Sequence, residues 1–149
     1  SLVHYDQDLE SMERLSQPGA RHGVFATSYG GDKCVLKVFD LSDPKSVPAF
    51  LKEVVLHRKL QHPLLVPLRQ AFLDTGFGEK SGLRGVLHFD RYPFDLEAWG
   101  RKHAPKEDAP KIAICGHAHK MVDAVAYLHN AGIVHGDLKP SNWLLDRQS

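Results

Sequence analysis

The spacing of apolar positions predicts one strand and two helices with particular clarity. Cys34–Phe39 is an apolar run broken only by Lys37, which is typical of a β-strand. The segment Ala49–Leu60 has apolar residues at helical spacing, and Pro48 lies near its start, where a missing N–H costs little. A longer helix is predicted over Ile112–Asn130. Its apolar face consists of Ile114, Ala118, Met121, Val122, Val125 and Leu128.

Shorter elements are predicted around these. Ile133–Val134 and Trp143–Leu145 should form short buried strands on either side of a polar loop, with Gly132 ending the preceding helix. The stretch Val86–Leu96 predicts a strand, a polar turn and the start of a helix. Asp95 should cap that helix, because its carboxylate can accept a hydrogen bond from an unpaired helix N–H.

Two segments are predicted to be connections rather than elements. The glycine-rich stretch Asp74–Gly85 should form a hairpin loop between strands. The polar stretch His103–Pro110 should link a short helix to the long one.

Composition indicates a soluble globular chain with one domain. The 149 residues are 42% apolar and 25% charged, with a net charge of +1. The sequence has no basic patch interleaved with aromatic residues, so nucleic acid is not expected as a partner. No apolar run is long enough to span a membrane. No targeting segment is visible.

The cysteines and histidines predict neither a disulfide framework nor a zinc site. Cys34 and Cys115 are expected to be small buried hydrophobic residues, and so few cysteines suit a reducing compartment, the cytoplasm or the nucleus. His117 and His119 would point to different faces of the long helix, and no cysteine pair has zinc-binding spacing.

The strongest chemical signal is His135–Asn142, which brings together a carboxylate, an ammonium group and an amide. Phosphoryl transfer uses such groups to orient a hydroxyl, balance charge and hold magnesium. The string resembles the catalytic loop H-R-D-L-x-x-x-N of eukaryotic-type protein kinases, with Gly136 in place of arginine. The resemblance implies that Asp137 is the catalytic base, Lys139 the phosphate-facing cation and Asn142 a magnesium ligand. An ordinary polar turn is the alternative interpretation.

Lys37 resembles the lysine of the kinase V-A-I-K motif, which holds the α- and β-phosphates of ATP. That role requires a glutamate partner on the following helix, and Glu53 is the candidate. The run from Glu53 to Leu68 also resembles the kinase passage from helix αC to the next strand. Without this context, Lys37 would be an edge residue pointing to water and Glu53 a solvated helix charge.

The loop expected to cover the phosphates is irregular. Gly19 and Gly23 lie where kinases have the pattern G-x-G-x-x-G-x-V, but the spacing does not match, and a plain hairpin turn explains these glycines equally well. By resemblance Phe25 and Val35 would lie above the adenine, and both are bulkier than the family prefers. A slip of one residue would put Val24 there in place of Phe25.

The remaining nucleotide contacts are also implied by resemblance. Phe89 would be the gatekeeper beside the adenine, and the backbone from Asp90 to Tyr92 would form hydrogen bonds to the adenine edge. Leu144 matches the residue expected beneath the adenine.

The resemblance implies an α+β protein kinase-like fold, an antiparallel five-stranded N-lobe with an αC helix plus the first part of the helical C-lobe. Residues 1–89 would form the N-lobe, 90–93 the hinge, and 94–149 the start of the C-lobe through the catalytic loop. No Asp-Phe-Gly motif, the source of the principal magnesium ligand, occurs in the sequence. We therefore expect a fragment that binds magnesium–ATP poorly, is inactive alone and exposes apolar surface.

The implied activity is transfer of the ATP γ-phosphoryl group to serine or threonine hydroxyls of a protein, because Asp-Leu-Lys-Pro resembles the serine/threonine type. Gly136 implies that activity does not depend on activation-loop phosphorylation. Two alternatives stay open. A pseudokinase scaffold is favoured by the odd glycine loop and by Phe25 and Val35, and a small-molecule kinase by the string His-Gly-Asp.

Overall fold

The computed structural model describes residues 12–75, 82–102 and 108–147, and the side chains of 108–112 are left out of the description. The chain forms two compact units. The first contains the described residues up to Gln61 together with Val66–Arg91, and the second contains His62–Leu65 and the residues from Tyr92 onward. Each unit is described by itself.

The first unit contains a five-stranded antiparallel sheet with strand order β1-β2-β3-β5-β4, which confirms the predicted sheet. The strands are β1 (Glu13–Arg14), β2 (Gly23–Tyr29), β3 (Asp32–Asp40), β4 (Leu68–Asp74) and β5 (Arg84–Asp90). A two-residue turn, Gly30-Gly31, joins β2 to β3 with φ values of 58° and 86°. Glycine suits this turn because both positions require the left-handed region.

The central strand β3 separates two apolar clusters, because its side chains alternate between the faces of the sheet. Cys34, Leu36 and Val38 pack with Phe72 and Val86 on one face. Phe39 lies in the other cluster, with Phe50 and Leu87. Lys37 shares this second face with Phe39, since the two residues are two positions apart on the strand.

Helix α1 (Ser46–Lys59) packs on the second face, and Pro48 lies in its first turn as predicted. Phe50 is buried, and its ring centroid lies 5.5 Å from that of Phe39. Gly85 on β5 makes this packing possible. A Cβ atom at Gly85 would lie 2.7–2.9 Å from three ring atoms of Phe50. The strand therefore needs glycine at this position for α1 to approach closely.

The predicted connections are shorter than expected. Strand β4 continues to Asp74 and β5 begins at Arg84, so the glycine-rich connection is confined between them, and residues 76–81 lie outside the description. Of the linker predicted over His103–Pro110, residues 103–107 lie outside the description. Its last three residues belong to helix α3, which begins at Asp108.

Where the structure describes it, the second unit contains two helices and a two-stranded sheet. Its elements are β6 (Phe94–Asp95), α2 (Leu96–Lys102), α3 (Asp108–Asn130), a 3₁₀ turn (Pro140–Asn142) and β7 (Leu144–Leu145), with β6 paired to β7. Asp95 caps α2 as predicted, because its Oδ1 accepts a hydrogen bond of 2.7 Å from the Ala98 N–H. The segment His62–Leu65 joins this unit through His62, whose ring centroid lies 4.6 Å from that of Tyr127 on α3.

The buried face of helix α3 matches the predicted one only in part, because Leu128 is buried and Met121 and Val125 are partly buried as expected. The buried positions are His117, Ala124 and Leu128, whereas Ile114 and Val122 are exposed. The prediction counted apolar residues only, but the ring of His117 packs edge-on to Trp99 at 6.0 Å and replaces an apolar residue in the buried row. The exposed side of the helix retains apolar side chains, and that of Val122 is 66% exposed.

Two smaller predictions were wrong. Ile133–Val134 forms no strand, and Val134 is 80% exposed, because no strand in the described part of the chain pairs with it. Cys115 is exposed rather than buried, whereas Cys34 is buried as predicted. Within the described ranges, no helix is long and apolar enough to cross a membrane, and no group of three or more His, Cys, Asp or Glu residues could hold a metal ion.

Candidate active site

Lys37 forms the predicted ion pair with Glu53. Its Nζ atom lies 2.5 Å from Oε1 of Glu53, sixteen residues along the chain, and both side chains are 29% exposed. The same Nζ lies 5.3 Å from the ring centroid of Phe39. The alternative that both charges are simply solvated does not fit this geometry. A partly buried ammonium held by a carboxylate has a fixed position from which it can contact an anionic ligand.

Two histidines that the sequence did not single out lie near this ion pair. The ring of His22 stacks on Phe39 with centroids 4.1 Å apart, and its buried Nδ1 has no hydrogen-bond partner in the described part of the chain. The ring centroid of His57 lies 5.1 Å from that of Phe89. Burial lowers the pKa of both imidazoles. The position of His57 could have been inferred from the sequence, because a residue four positions after Glu53 lies on the same side of a helix.

The loop before β2 is held by contacts of its own. The backbone N–H of Ala20 donates to the Gln17 carbonyl, and Gly19 adopts a φ of 84° next to it. Ser16 Oγ accepts a hydrogen bond of 3.0 Å from the Val24 N–H. A Cβ atom at Gly23 would lie 2.6 Å from the Phe25 ring, so a side chain there would displace the ring, and packing accounts for this glycine without a ligand. A role for Gly19 and Gly23 in phosphate binding stays a prediction.

The register of β2 against β3 corrects the prediction for Phe25. Phe25 lies opposite Leu36 and packs against the cluster on the face away from Lys37. Val24 lies opposite Lys37 instead, which is the alternative register considered above. A shift of one residue moves every side chain of a strand to the other face, so Phe25 cannot share a ligand with Lys37.

Val35 and Phe89 lie opposite each other on β3 and β5 and share the face of Lys37. Their placement is compatible with the predicted contacts to an adenine. Of the two bulky residues expected above the adenine, Phe25 and Val35, only Val35 lies on the face of Lys37.

The end of β5 is held by side chains from both edge strands of the sheet. Asp90 accepts hydrogen bonds from Nε of Arg69 at 2.9 Å and from its Nη2, and this contact lowers the pKa of the Asp90 carboxyl. Arg91 pairs with Glu13 on β1 at 3.7 Å, and its N–H donates to the Lys33 carbonyl. The predicted adenine-binding backbone thus begins at an anchored residue, Asp90. Tyr92 belongs to the second unit.

In the second unit, the catalytic-loop candidates converge on Asp137. Lys139 Nζ lies 3.3 Å from Asp137 Oδ2. Asn142 Nδ2 donates to the Asp137 carbonyl at 2.9 Å and to its Oδ2 at 3.2 Å. Gly136 has a φ of 77°, a conformation that glycine adopts without strain, and it allows the chain to turn immediately before Asp137.

The donor set of this loop fits a magnesium ion. Because the amide nitrogen of Asn142 is directed at Asp137, its Oδ1 oxygen is available as a ligand. Magnesium is commonly held by one or two protein oxygens together with phosphate oxygens and waters.

Leu144, the residue predicted to lie beneath the adenine, is on β7. It is 41% exposed and therefore accessible to a ligand, whereas Leu145 is buried.

Comparison with known proteins identifies the class. The family described as "Protein kinase domain" matches residues 24–149. A dual serine/threonine and tyrosine protein kinase of Gallus gallus is 32% identical over 124 residues, 82% of this chain and 13% of that protein. A probable serine/threonine-protein kinase CHK1 homolog of Encephalitozoon cuniculi is 32% identical over 142 residues, 92% of this chain and 30% of that protein.

A third relative, CBL-interacting serine/threonine-protein kinase 18 of Arabidopsis thaliana, is 29% identical over 138 residues, 85% of this chain and 24% of that protein. The chain therefore belongs to the protein kinase family. It spans between 13% and 30% of the length of these three curated relatives.

Proposed function

We propose that this chain contributes the nucleotide-holding and catalytic-loop residues of a kinase that transfers the γ-phosphoryl group of ATP to serine or threonine hydroxyls of a protein. The Lys37–Glu53 ion pair is the observation that carries the proposal. A strand lysine whose charge is held by a helix carboxylate is a preformed contact for the α- and β-phosphates. Relatives whose names include serine/threonine-protein kinase support the substrate class.

The second unit supplies the groups that act on the transferred phosphoryl group. Asp137 would orient the substrate hydroxyl and accept its proton as the oxygen–phosphorus bond forms and ADP leaves. Lys139 would balance the negative charge next to it. Asn142 would hold magnesium through Oδ1, and the bound ion would neutralise charge on the phosphates. Catalysis would thus depend on positioning and electrostatics.

The structure also bears on the pseudokinase alternative. One of its supports was a bulky Phe25 above the adenine, and Phe25 lies on the opposite face of the sheet from Lys37. The irregular loop around Gly19 and the bulk of Val35 still favour it. The string His-Gly-Asp still favours a small-molecule kinase, but the relatives named above are all protein kinases. A reducing location, the cytoplasm or nucleus, stays a prediction.

The test uses the full-length protein that contains this sequence, because no Asp-Phe-Gly motif occurs in these 149 residues. Transfer of radiolabelled γ-phosphate from ATP to serine and threonine peptides is measured with magnesium present. Asp137→Asn should lower kcat by about 100-fold or more while nucleotide binding is retained. Lys37→Met should weaken nucleotide binding.

Lys33→Met is the matched control, because Lys33 lies on the same strand but is exposed and four positions from Lys37. It should leave both nucleotide binding and transfer unchanged. Wild-type protein that binds ATP without transferring phosphate would favour the pseudokinase. Transfer to aminoglycosides or choline rather than to peptides would favour the small-molecule kinase.

A further inference from the structure

His57 occupies a position where three parts of the first unit meet. It lies on α1 four residues after Glu53, its ring contacts Phe89 on β5, and it forms a hydrogen bond to the backbone of Val66, just before β4. Residues four apart are neighbours on one side of a helix. The imidazole is thus next to the carboxylate that holds Lys37.

We propose that His57 is a positioning residue for the nucleotide site: as the neutral imidazole it fixes α1 so that Glu53 meets Lys37, and once protonated it draws the Glu53 carboxylate away from Lys37. This inference rests on the proposed function, since it concerns the ion pair expected to hold the phosphates of ATP.

The ring of His57 is held on two sides, by an aromatic contact with Phe89 and by a hydrogen bond to the Val66 backbone. The hydrogen bond favours the protonated ring, but burial is the larger effect. Burial favours the uncharged ring and lowers its pKa. In this state Lys37, at 2.5 Å, is the cation that pairs with Glu53 among the described residues.

Protonation changes the competition for Glu53. A carboxylate four residues before a cation on a helix is a favourable arrangement, so an imidazolium at position 57 would attract it directly. Two charged groups act on His57: Glu53 on its own helix favours the charged ring, and Lys37 on β3 opposes it more weakly. Phe89 on β5 and the Val66 backbone are the uncharged groups that contact the ring.

His22 also lies near the ion pair, but its electrostatic surroundings are different. Lys37 acts on the His22 ring more strongly than Glu53 does, whereas the order is reversed for His57. A proton on His22 is therefore repelled by Lys37 more than it is attracted by Glu53. The structure thus assigns competition for the Glu53 carboxylate to His57.

The test compares magnesium–ATP affinity of the full-length protein at about pH 7.5 and at about pH 5.5, where histidine titrates. Each variant's affinity is expressed relative to wild type at the same pH, which cancels the titration of ATP itself. Wild-type affinity should fall on acidification by about threefold more than that of His57→Gln, in which position 57 cannot be charged.

Two histidine variants serve as comparisons. His119→Gln removes a histidine in the second unit whose side chain is 81% exposed, and it should behave as wild type at both pH values. His22→Gln should retain the acid-induced loss of affinity. An equal loss in wild type and His57→Gln, or a loss abolished by His22→Gln instead, would overturn the proposal.

A titration that needs no nucleotide separates this inference from the proposed function. The pKa of His57 is followed by NMR in wild type and in Glu53→Gln, with the resonance identified by its absence in His57→Gln. Loss of the carboxylate should lower the pKa of His57, and an unchanged or raised pKa would contradict the coupling. Failure of wild type to bind ATP at about pH 7.5 would refute the proposed function but leave this titration interpretable.

Discussion

Substitution of Gly85 by alanine tests whether α1 packs directly on strand β5. The new Cβ atom would lie 2.7, 2.8 and 2.9 Å from three atoms of the Phe50 ring. Carbon atoms pack best at about 3.5–4.0 Å, so either the ring or the helix must move. Phe50 is 7% exposed and lies against the fully buried Phe39, which leaves its ring little room.

The magnitude follows from two opposing effects. Overpacking a core commonly costs about 1–3 kcal/mol of stability. Alanine in place of glycine in a strand recovers about 0.5–1 kcal/mol. We therefore expect Gly85→Ala to lower the free energy of unfolding by about 1 kcal/mol, within a range of about 0–2.5 kcal/mol. Because Glu53 lies on the displaced helix, nucleotide affinity should fall as well.

Urea unfolding followed by circular dichroism measures the effect on stability. Gly116→Ala is the matched control, because Gly116 lies within α3 and a Cβ atom there would meet nothing within 4 Å. It should stabilise the chain by about 0.5–1 kcal/mol.

Phe50→Leu, combined with Gly85→Ala, identifies the cause. If the clash with the ring is responsible, the double variant should lose about 1 kcal/mol less than the sum of the two single losses. Additivity within about 0.5 kcal/mol, or a Gly85→Ala variant as stable as Gly116→Ala, would refute the reasoning.

Three further predictions concern charge. Burial lowers the folded-state pKa of four histidines from 6.5, so the stability that they contribute is present above about pH 6.5 and is lost as the pH falls. The four histidines are His22, His57, His88 and His117. The midpoint of urea unfolding should therefore be lower at about pH 5.5 than at about pH 7.5. An equal midpoint at the two pH values would contradict this prediction. The Arg69 and Asp90 side chains are about half exposed, so a double-mutant cycle should give a coupling free energy of at most about 1 kcal/mol. This coupling should disappear in about 1 M salt, because salt screens exposed charges. A coupling free energy that does not depend on salt would contradict the prediction. Because Gly136 replaces the arginine of the family motif, alanine at activation-loop phosphosites of the full-length protein should leave its kinase rate unchanged, whereas a collapse of the rate would disprove this.

The sequence predicted the parts of the site that depend on local pattern. The Lys37–Glu53 pair was predictable because the strand lysine, the helix glutamate and the run after it together resemble kinase motifs, whereas either residue alone would have indicated a solvated charge. Asp95 was recognisable as a cap because the interaction spans three residues. The convergence of Lys139 and Asn142 on Asp137 is likewise a short-range feature of one loop.

Features that depend on register or on distant packing were not predictable in the same way. The position of Phe25 depends on how β2 aligns with β3, and a shift of one residue reverses the outcome. The buried face of α3 depends on Trp99, which contacts His117 from another helix. The closeness of Phe50 to Gly85 joins residues from separate elements, and nothing in the local sequence of either indicates it.

The placement of His62–Leu65 has a consequence for the order of folding during synthesis. These residues follow α1 and precede β4, both elements of the first unit, yet they belong to the second. A nascent chain that has emerged as far as Arg91 contains every residue of the five-stranded sheet. The ring of His62 can contact Tyr127 only after that residue has been synthesised as well. The first unit therefore cannot be excised as one uninterrupted piece of chain without carrying a segment of the second unit with it.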